Sequence, residues 1–132
     1  MGEFDGKVAL VTGAGRMRGI GRAAAIAFAR EGANVTVAGT GRSPETFPDD
    51  ERAAGWRDVD SVADEVRGLD RHALAVVADV TDAAQVQEAV DRTVREFGRI
   101  DFLVNNASAP RMSAWADLED LSEEAWRRVL DI

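Results

Sequence analysis

The chain has 132 residues, 45% of them hydrophobic and 30% charged, which suits one domain with a real core rather than extended disorder. Its formal net charge of −8 argues against a nucleic-acid partner and against an anionic membrane surface, both of which select a basic face; a phosphate-bearing ligand needs only a local positive site and is not excluded. The absence of cysteine rules out disulfide frameworks, thiol catalysis and zinc ribbons, and the longest apolar stretch, residues 23–29, is too short to span a bilayer. The first six residues carry neither a basic region nor an apolar run, and Gly6 stands where a myristoylation signal wants Ser or Thr, so a soluble cytoplasmic protein is expected.

In chain order, Val8-Ala9-Leu10-Val11 is a continuous apolar run that stops at Thr12-Gly13, the pattern of a strand buried on both faces. A glycine-rich loop follows. Ile20, Ala23, Ala24, Ala27 and Phe28 then recur at helical spacing, with Gly32 at the expected helix end. Val35-Thr36-Val37-Ala38 is the second strand. Residues 41–57 read as a long polar loop in which Asp49, Asp50 and Glu51 form a solvated acidic run rather than a metal site. Val59, Val62, Ala63 and Val66 mark a helix ending near Gly68, and residues 73–78 form the third strand, with His72 a surface histidine at its start. Asp82 followed by Gln85 predicts a capping box, and Val86, Ala89, Val90, Val94 and Phe97 give the next helix its stripe before Gly98 ends it.

Phe102-Leu103-Val104 is the fourth strand. Ser122 is placed to cap a last helix, with Leu121 and Trp126 in the positions of a hydrophobic staple. That helix has Trp115, Trp126, Val129 and Leu130 to cover. The order β-α-β-α-β-α-β-α predicts parallel strands joined by right-handed crossovers, an α/β doubly wound sheet in one domain spanning residues 1–132.

Between strand one and helix one runs Thr12-Gly13-Ala14-Gly15-Arg16-Met17-Arg18-Gly19-Ile20-Gly21. Glycines in such a loop permit a tight turn, let a pyrophosphate approach the backbone, and let helix and strand pack closely. The helix N-terminus then offers free N–H groups and the positive end of its dipole to phosphates. A plain turn is the alternative reading; the strand before and the helix after favour a nucleotide site.

Thr12-Gly13…Gly19-Ile20-Gly21, Asp79-Val80, Asn105-Asn106-Ala107 and the stretch Glu96-Phe97-Gly98-Arg99-Ile100-Asp101 resemble, in order, the cofactor-side motifs of the short-chain dehydrogenase/reductase family. The resemblance runs from about Gly6 to the end of the chain. It implies a Rossmann-like sheet in the order 3-2-1-4, here reaching only the fourth strand and the helix after it. It also implies an oxidoreductase transferring hydride between a nicotinamide dinucleotide and a carbonyl or secondary alcohol. By resemblance Gly13, Gly19, Ile20 and Gly21 carry the pyrophosphate and adjoining ribose, and Asp79 accepts a hydrogen bond from the adenine amino group beside the Val80 backbone. Asn106 shapes the cofactor floor, and Asn105 is either functional or a structural tie between strands. For Asp79 the alternative is a strand-end aspartate capping the next turn. Two departures stand out: five residues separate Thr12-Gly13 from Gly19-Ile20-Gly21 where the family has three, a spacing that resembles the enoyl reductase branch, and Ser108 replaces the glycine that usually follows Asn-Asn-Ala.

A carboxylate at the end of strand two normally binds the ribose hydroxyls of NAD. Here the place reads Gly39-Thr40-Gly41-Arg42, so Thr40 and Arg42, with Arg16 and Arg18 nearby, are expected to receive a 2′-phosphate, giving NADP(H) preference with NAD possible. Balancing an acidic surface is the arginines' alternative role. The family's catalytic tyrosine, with a lysine four residues on, has no counterpart: the chain has no tyrosine, and its one lysine, Lys7, opens strand one. Ser108 and Ser113 lie in the loop after strand four and are not catalytic serines. The expectation is therefore a cofactor-binding N-terminal half with no catalytic residue, part of a complete enzyme that works on a small carbonyl or alcohol as a homo-oligomer. A non-catalytic dinucleotide-binding module and a half-domain completed by another chain remain as alternatives; a methyltransferase would leave Asn105-Asn106-Ala107 without a role. The unprotected apolar fourth strand is expected to be a liability at the sheet edge.

Overall fold

The computed structural model describes residues 2–109 and 116–132; Ser113 and Trp115 lie outside them. Four strands, β1 (Val8–Val11), β2 (Asn34–Gly39), β3 (Ala73–Val77) and β4 (Phe102–Val104), form one parallel sheet in the order β3-β2-β1-β4. Val8 pairs with Asn34, Ala9 with both Val35 and Phe102, and Val35 with Ala73. Every residue of β1 is buried, as its unbroken apolar run requires. The helices are α1 (Ile20–Arg30), α2 (Asp49–Ala53), α3 (Val59–Arg67), α4 (Ala83–Phe97) and α5 (Glu123–Asp131).

The alternation of β2 sorts the core into two layers. Val35 and Val37 face α1 and α3, joining Val11, Ala25, Ala29, Val62 and Val66. On the opposite face Val76, Ala78 and Ala89 pack together below α4. There too the fully buried Thr36 and Thr93 meet: the Thr93 hydroxyl donates to the Ala89 carbonyl at 2.8 Å and lies 2.9 Å from the Thr36 hydroxyl, so neither is left unpaired. At the base of the sheet Phe4, Phe28 and Phe102 stack with centroids 4.8–5.6 Å apart. Asp101 fixes the entry to β4: its N–H donates to Val8 O, and its carboxylate accepts from Val8 N at 2.9 Å.

Three expectations are corrected. The buried stripe of α1 is Gly21, Ala25 and Ala29, whereas Ile20 is 78% exposed and Ala23 and Ala27 are exposed. The helix is nearly all apolar, so periodicity leaves its phase undetermined, and the smallest residues win the sheet-facing side because they allow close approach. On α4 only Ala89 of the predicted stripe is fully buried, with Thr93 beside it, and Val86 and Val94 remain exposed. Residues 41–58 are a packed strap rather than an open loop. The strap contains a 3-10 turn at Pro44–Thr46 and the short helix α2, and within it Phe47 and Glu51 are buried. Glu51 therefore leaves the solvated acidic run, while Asp49 stays exposed.

The predicted caps are present. Asp82 accepts from Ala84 N and Gln85 N, and Ser122 accepts from Ala125 N. The second arm of the capping box is redirected: the Gln85 side-chain oxygen Oε1 accepts from Asp79 N at 2.9 Å instead of from Asp82 N. Gly98 ends α4 in the left-handed conformation, φ 78°. β4 is an edge among the described strands, with Leu103 59% exposed.

Candidate functional site: a dinucleotide cleft at the strand ends

The C-terminal ends of β1 and β2 open into a cleft of about 1060 Å³, the position at which parallel sheets with this strand order bind ligands. Its walls bring together Gly13, Arg16, Gly19, Ile20, Thr40, Arg42, Asp79, Val80 and Asn106, nine of the positions expected from sequence. Gly21 lies just beneath. Arg18 is the exception: it turns outward, 83% exposed, to an ion pair with Asp50 at 2.9 Å.

The glycines divide by what a side chain would meet. At Gly13, φ is +63° and a Cβ would lie 2.7 Å from the Ala107 Cα; at Gly21 it would lie 2.7 Å from Asn106 Nδ2 and 2.8 Å from Gly13 O. These two serve the tight turn and the close packing of helix on strand. Gly19 differs. Its φ is −98°, and the three atoms nearest its Cβ direction belong to Arg16 of the same loop, at 3.2–3.9 Å. It is the N-cap of α1, without a side-chain cap, and the first turn has no acidic residue. The first N–H groups of α1 thus face the cleft, which suits them to a pyrophosphate. Loop geometry and free helix donors fit the phosphates of a dinucleotide.

Asn106 holds this end of the site. Its amide nitrogen donates to Thr12 O and Gly13 O, each at 3.1 Å, and its backbone N–H donates to the Thr12 hydroxyl. The structural tie considered for Asn105 thus belongs to Asn106, and Asn105 lines a separate apolar hollow with Leu10, Thr12, Val86 and Leu103. Asp79 does form the turn expected as its alternative role: one carboxylate oxygen accepts from the Thr81 N–H and hydroxyl at 2.9 and 2.7 Å, and the hydroxyl bond holds its pKa below 3.8. The carboxylate remains on the cleft wall. From the other side, Glu123, Arg127 and Arg128 of α5, a helix with no buried residue, line the opening.

Arg42 is not left free as the sequence reading expected. Four contacts within the protein engage its guanidinium. Nε donates to Asp58 Oδ1 at 2.9 Å and Nη1 to Glu51 Oε2 at 2.9 Å; Nη2 donates to Gly15 O at 3.1 Å and lies 3.3 Å from Glu51 Oε1. Phe47 stacks beneath at 4.7 Å. Burial opposes the charge on Arg42, yet its hydrogen bonds to Glu51 and Asp58 outweigh it and raise the pKa. With both carboxylates under one-tenth exposed, Arg42 is a buttress and not a free ligand for a 2′-phosphate. Of the residues expected to meet that phosphate, Arg16 and Thr40 remain exposed on the cleft.

Glu51, Trp56 and Asp58, missed in the sequence, bind the strap to the glycine loop. Glu51 accepts from Met17 N at 2.8 Å, and Trp56 Nε1 donates to Gly15 O at 2.7 Å. The two extra loop residues are therefore matched by the strap that grips them. Asp58 sits where an N-cap aspartate is expected before α3, but its carboxylate makes no cap bond. No group of acidic, histidine or cysteine residues able to hold a metal occurs among the described residues, and none of their helices is long and apolar enough to cross a membrane.

A parallel β3-β2-β1-β4 sheet with a glycine loop opening α1 at its C-terminal edge defines a dinucleotide-binding α/β protein. The family model for short chain dehydrogenase matches residues 7–132, and the chain belongs to that family. It is 41% identical over 120 residues to the oxidoreductase UcpA of Escherichia coli K12, covering 91% of this chain and 39% of that protein. To the 3-oxoacyl-[acyl-carrier-protein] reductase FabG of Thermotoga maritima it is 35% identical over 130 residues, 98% of this chain and 45% of the relative. Among solved structures, carveol dehydrogenase from Mycobacterium avium in complex with NAD superposes with a TM-score of 0.80 at 31% identity, over 100% of this chain and 46% of that one. An NAD+-bound xylitol dehydrogenase gives 0.78 at 36% identity, over 98% and 43%. The chain spans less than half the length of these relatives.

Proposed function

We propose that these residues form the cofactor-binding half of an oxidoreductase that moves hydride between a nicotinamide dinucleotide and a carbonyl or secondary alcohol. The observation that carries the reading is the pairing of Gly19 with the uncapped N-terminus of α1: open backbone and free N–H donors at the mouth of the cleft. The bound nicotinamide supplies the hydride. Gly13, Gly19, Ile20 and the first turn of α1 hold the pyrophosphate, Asp79 and Val80 border the adenine, and Asn106 keeps the loop and β4 in register. No tyrosine is present to protonate a carbonyl oxygen, so the 132 residues bind cofactor without turning over substrate.

The test joins two measurements on one mass-verified sample. Titration with NADH should give saturable binding, and assays with simple ketones and secondary alcohols should give no turnover above background. Absence of saturable binding would refute the cofactor role; turnover would refute the account of the missing proton donor.

A further inference from the structure

At the end of β2 this chain has no carboxylate, and the residue that would answer a 2′-phosphate, Arg42, is sealed between Glu51 and Asp58. Asp58 is unusual in three respects. Its backbone lies at φ 57°, ψ −131°, a conformation that favours glycine, so its side chain must hold it there. Although placed before α3, it caps nothing. One oxygen, Oδ1, receives Arg42, while Oδ2 is buried without any hydrogen-bond partner. A buried acceptor left unpaired is costly unless a donor arrives.

The location of that acceptor is the point. Asp58 lines the cleft beside Gly39, the last residue of β2, where a Cβ on Gly39 would lie 3.6 Å from Oδ2. A Cβ on Gly15 would lie 2.3–2.7 Å from the carboxylate atoms, so glycine is needed for Asp58 to reach this spot. A carboxylate that ordinarily comes from the strand end is thus delivered from the far end of the strap. Two buried carboxylates share one guanidinium, leaving net negative charge there. Arg16, the other arginine on this side of the cleft among the described residues, is exposed, and its attraction for phosphate is screened by salt where the buried pair is not.

We propose that Asp58 reads the adenosine ribose: its carboxylate accepts the 2′-hydroxyl of NAD(H) and, with Glu51, excludes the 2′-phosphate of NADP(H). This rests on the cleft holding a dinucleotide, and it reverses the NADP(H) preference expected from the sequence of β2.

The test is the affinity of NADH and NADPH for the native protein, Asp58→Asn and Asp50→Asn, each checked by a melting curve. The native protein should bind NADH at least about tenfold more tightly. Asp58→Asn should lose about ten- to a hundredfold in NADH affinity, the loss expected for a hydrogen bond to a charged group, and most of its discrimination. Asp50→Asn removes the same charge from the strap outside the cleft and should keep the preference. ADP-ribose and its 2′-phosphate should reproduce the native ratio, placing the discrimination at the adenosine end. Should Asp58→Asn fail to fold, the native ratios still decide. Binding of neither cofactor would overturn the dinucleotide reading and this inference together. Equal or tighter binding of NADPH would overturn the inference alone, and loss of such a margin in Arg16→Ala would give the rim to Arg16. An NADH preference that survives Asp58→Asn would overturn the role of Asp58.

Discussion

Replacing Arg42 by alanine removes one cation from between two carboxylates whose side chains are 4% and 8% exposed. Three groups lose partners at once: Glu51, Asp58 and the Gly15 carbonyl, which keeps only Trp56. Breaking a buried ion pair from one side costs about 3–5 kcal/mol, because the charge left behind is neither solvated nor paired. Against a total stability of about 5–15 kcal/mol this is a large share, and for a chain of this size it lowers Tm by roughly 10–20 °C. Differential scanning calorimetry at neutral pH measures it directly. The mechanism has its own control: Arg42→Met combined with Glu51→Gln and Asp58→Asn removes all three charges and should recover much of the loss, since the penalty lies in the stranded carboxylates. A single Arg42→Ala variant melting within about 2 °C of the native protein would show that water reaches both carboxylates, and the strap would then be no clamp on the glycine loop.

Asn106→Ala should cost about 1–3 kcal/mol in urea unfolding, because the Thr12 and Gly13 carbonyls lose the amide they share, and NADH titration should show weaker binding from the loosened loop. Asp82→Ala should lower the melting temperature measurably as a lost N-cap while leaving NADH affinity largely unchanged, since Asp82 is not on the cleft wall. Acid should destabilise the fold: the Thr81 hydroxyl on Asp79, the Gln85 amide on Asp82 and the Arg99 guanidinium on Asp101 each hold a carboxyl below 3.8. A depressed carboxyl contributes stability that is full above its unfolded pKa and is lost as pH falls below about 3.8 through the folded value. Because these carboxylates are exposed and screened by solvent, melting curves in that window should show a gradual acid limb, made shallower by Asp101→Asn.

All four strands and the positions of the long helices were legible because each signal is local: an unbroken apolar run for a doubly covered strand, glycine at a helix end, a cap two or three residues before the N–H that donates to it; the sheet order is not local and came only from the family resemblance. The glycines of the loop after β1 were legible as a cluster, although the atoms that Gly13 and Gly21 must clear, those of Ala107 and Asn106, come from the distant segment after β4. The phase of α1 was not, because a helix of alanines carries no contrast between faces. Least legible was the end of the cleft beside β2. Arg42 near β2 reads as a phosphate ligand, and only the three-dimensional return of the strap shows that Glu51, nine residues on, and Asp58, sixteen residues on, already hold it. Asp58 carries no signal of its own in the sequence, and its engagement depends on a backbone conformation that no sequence pattern announces.

The central claim, that the glycine loop and the start of α1 hold a dinucleotide, is tested most directly at Gly19. Valine is compatible with its φ of −98°, and the nearest atoms to a Cβ there belong to Arg16, at 3.2 Å, a tight contact that the exposed loop relieves by a small shift, so the variant should fold with a melting temperature within several degrees of the native one. Its side chain would fill the space that a pyrophosphate needs against the backbone. Isothermal titration of native protein and Gly19→Val with NADH should show saturable binding in the first and a loss of at least about a hundredfold, nearly 3 kcal/mol, in the second. A folded Gly19→Val protein that binds NADH as tightly as the native chain would contradict the account.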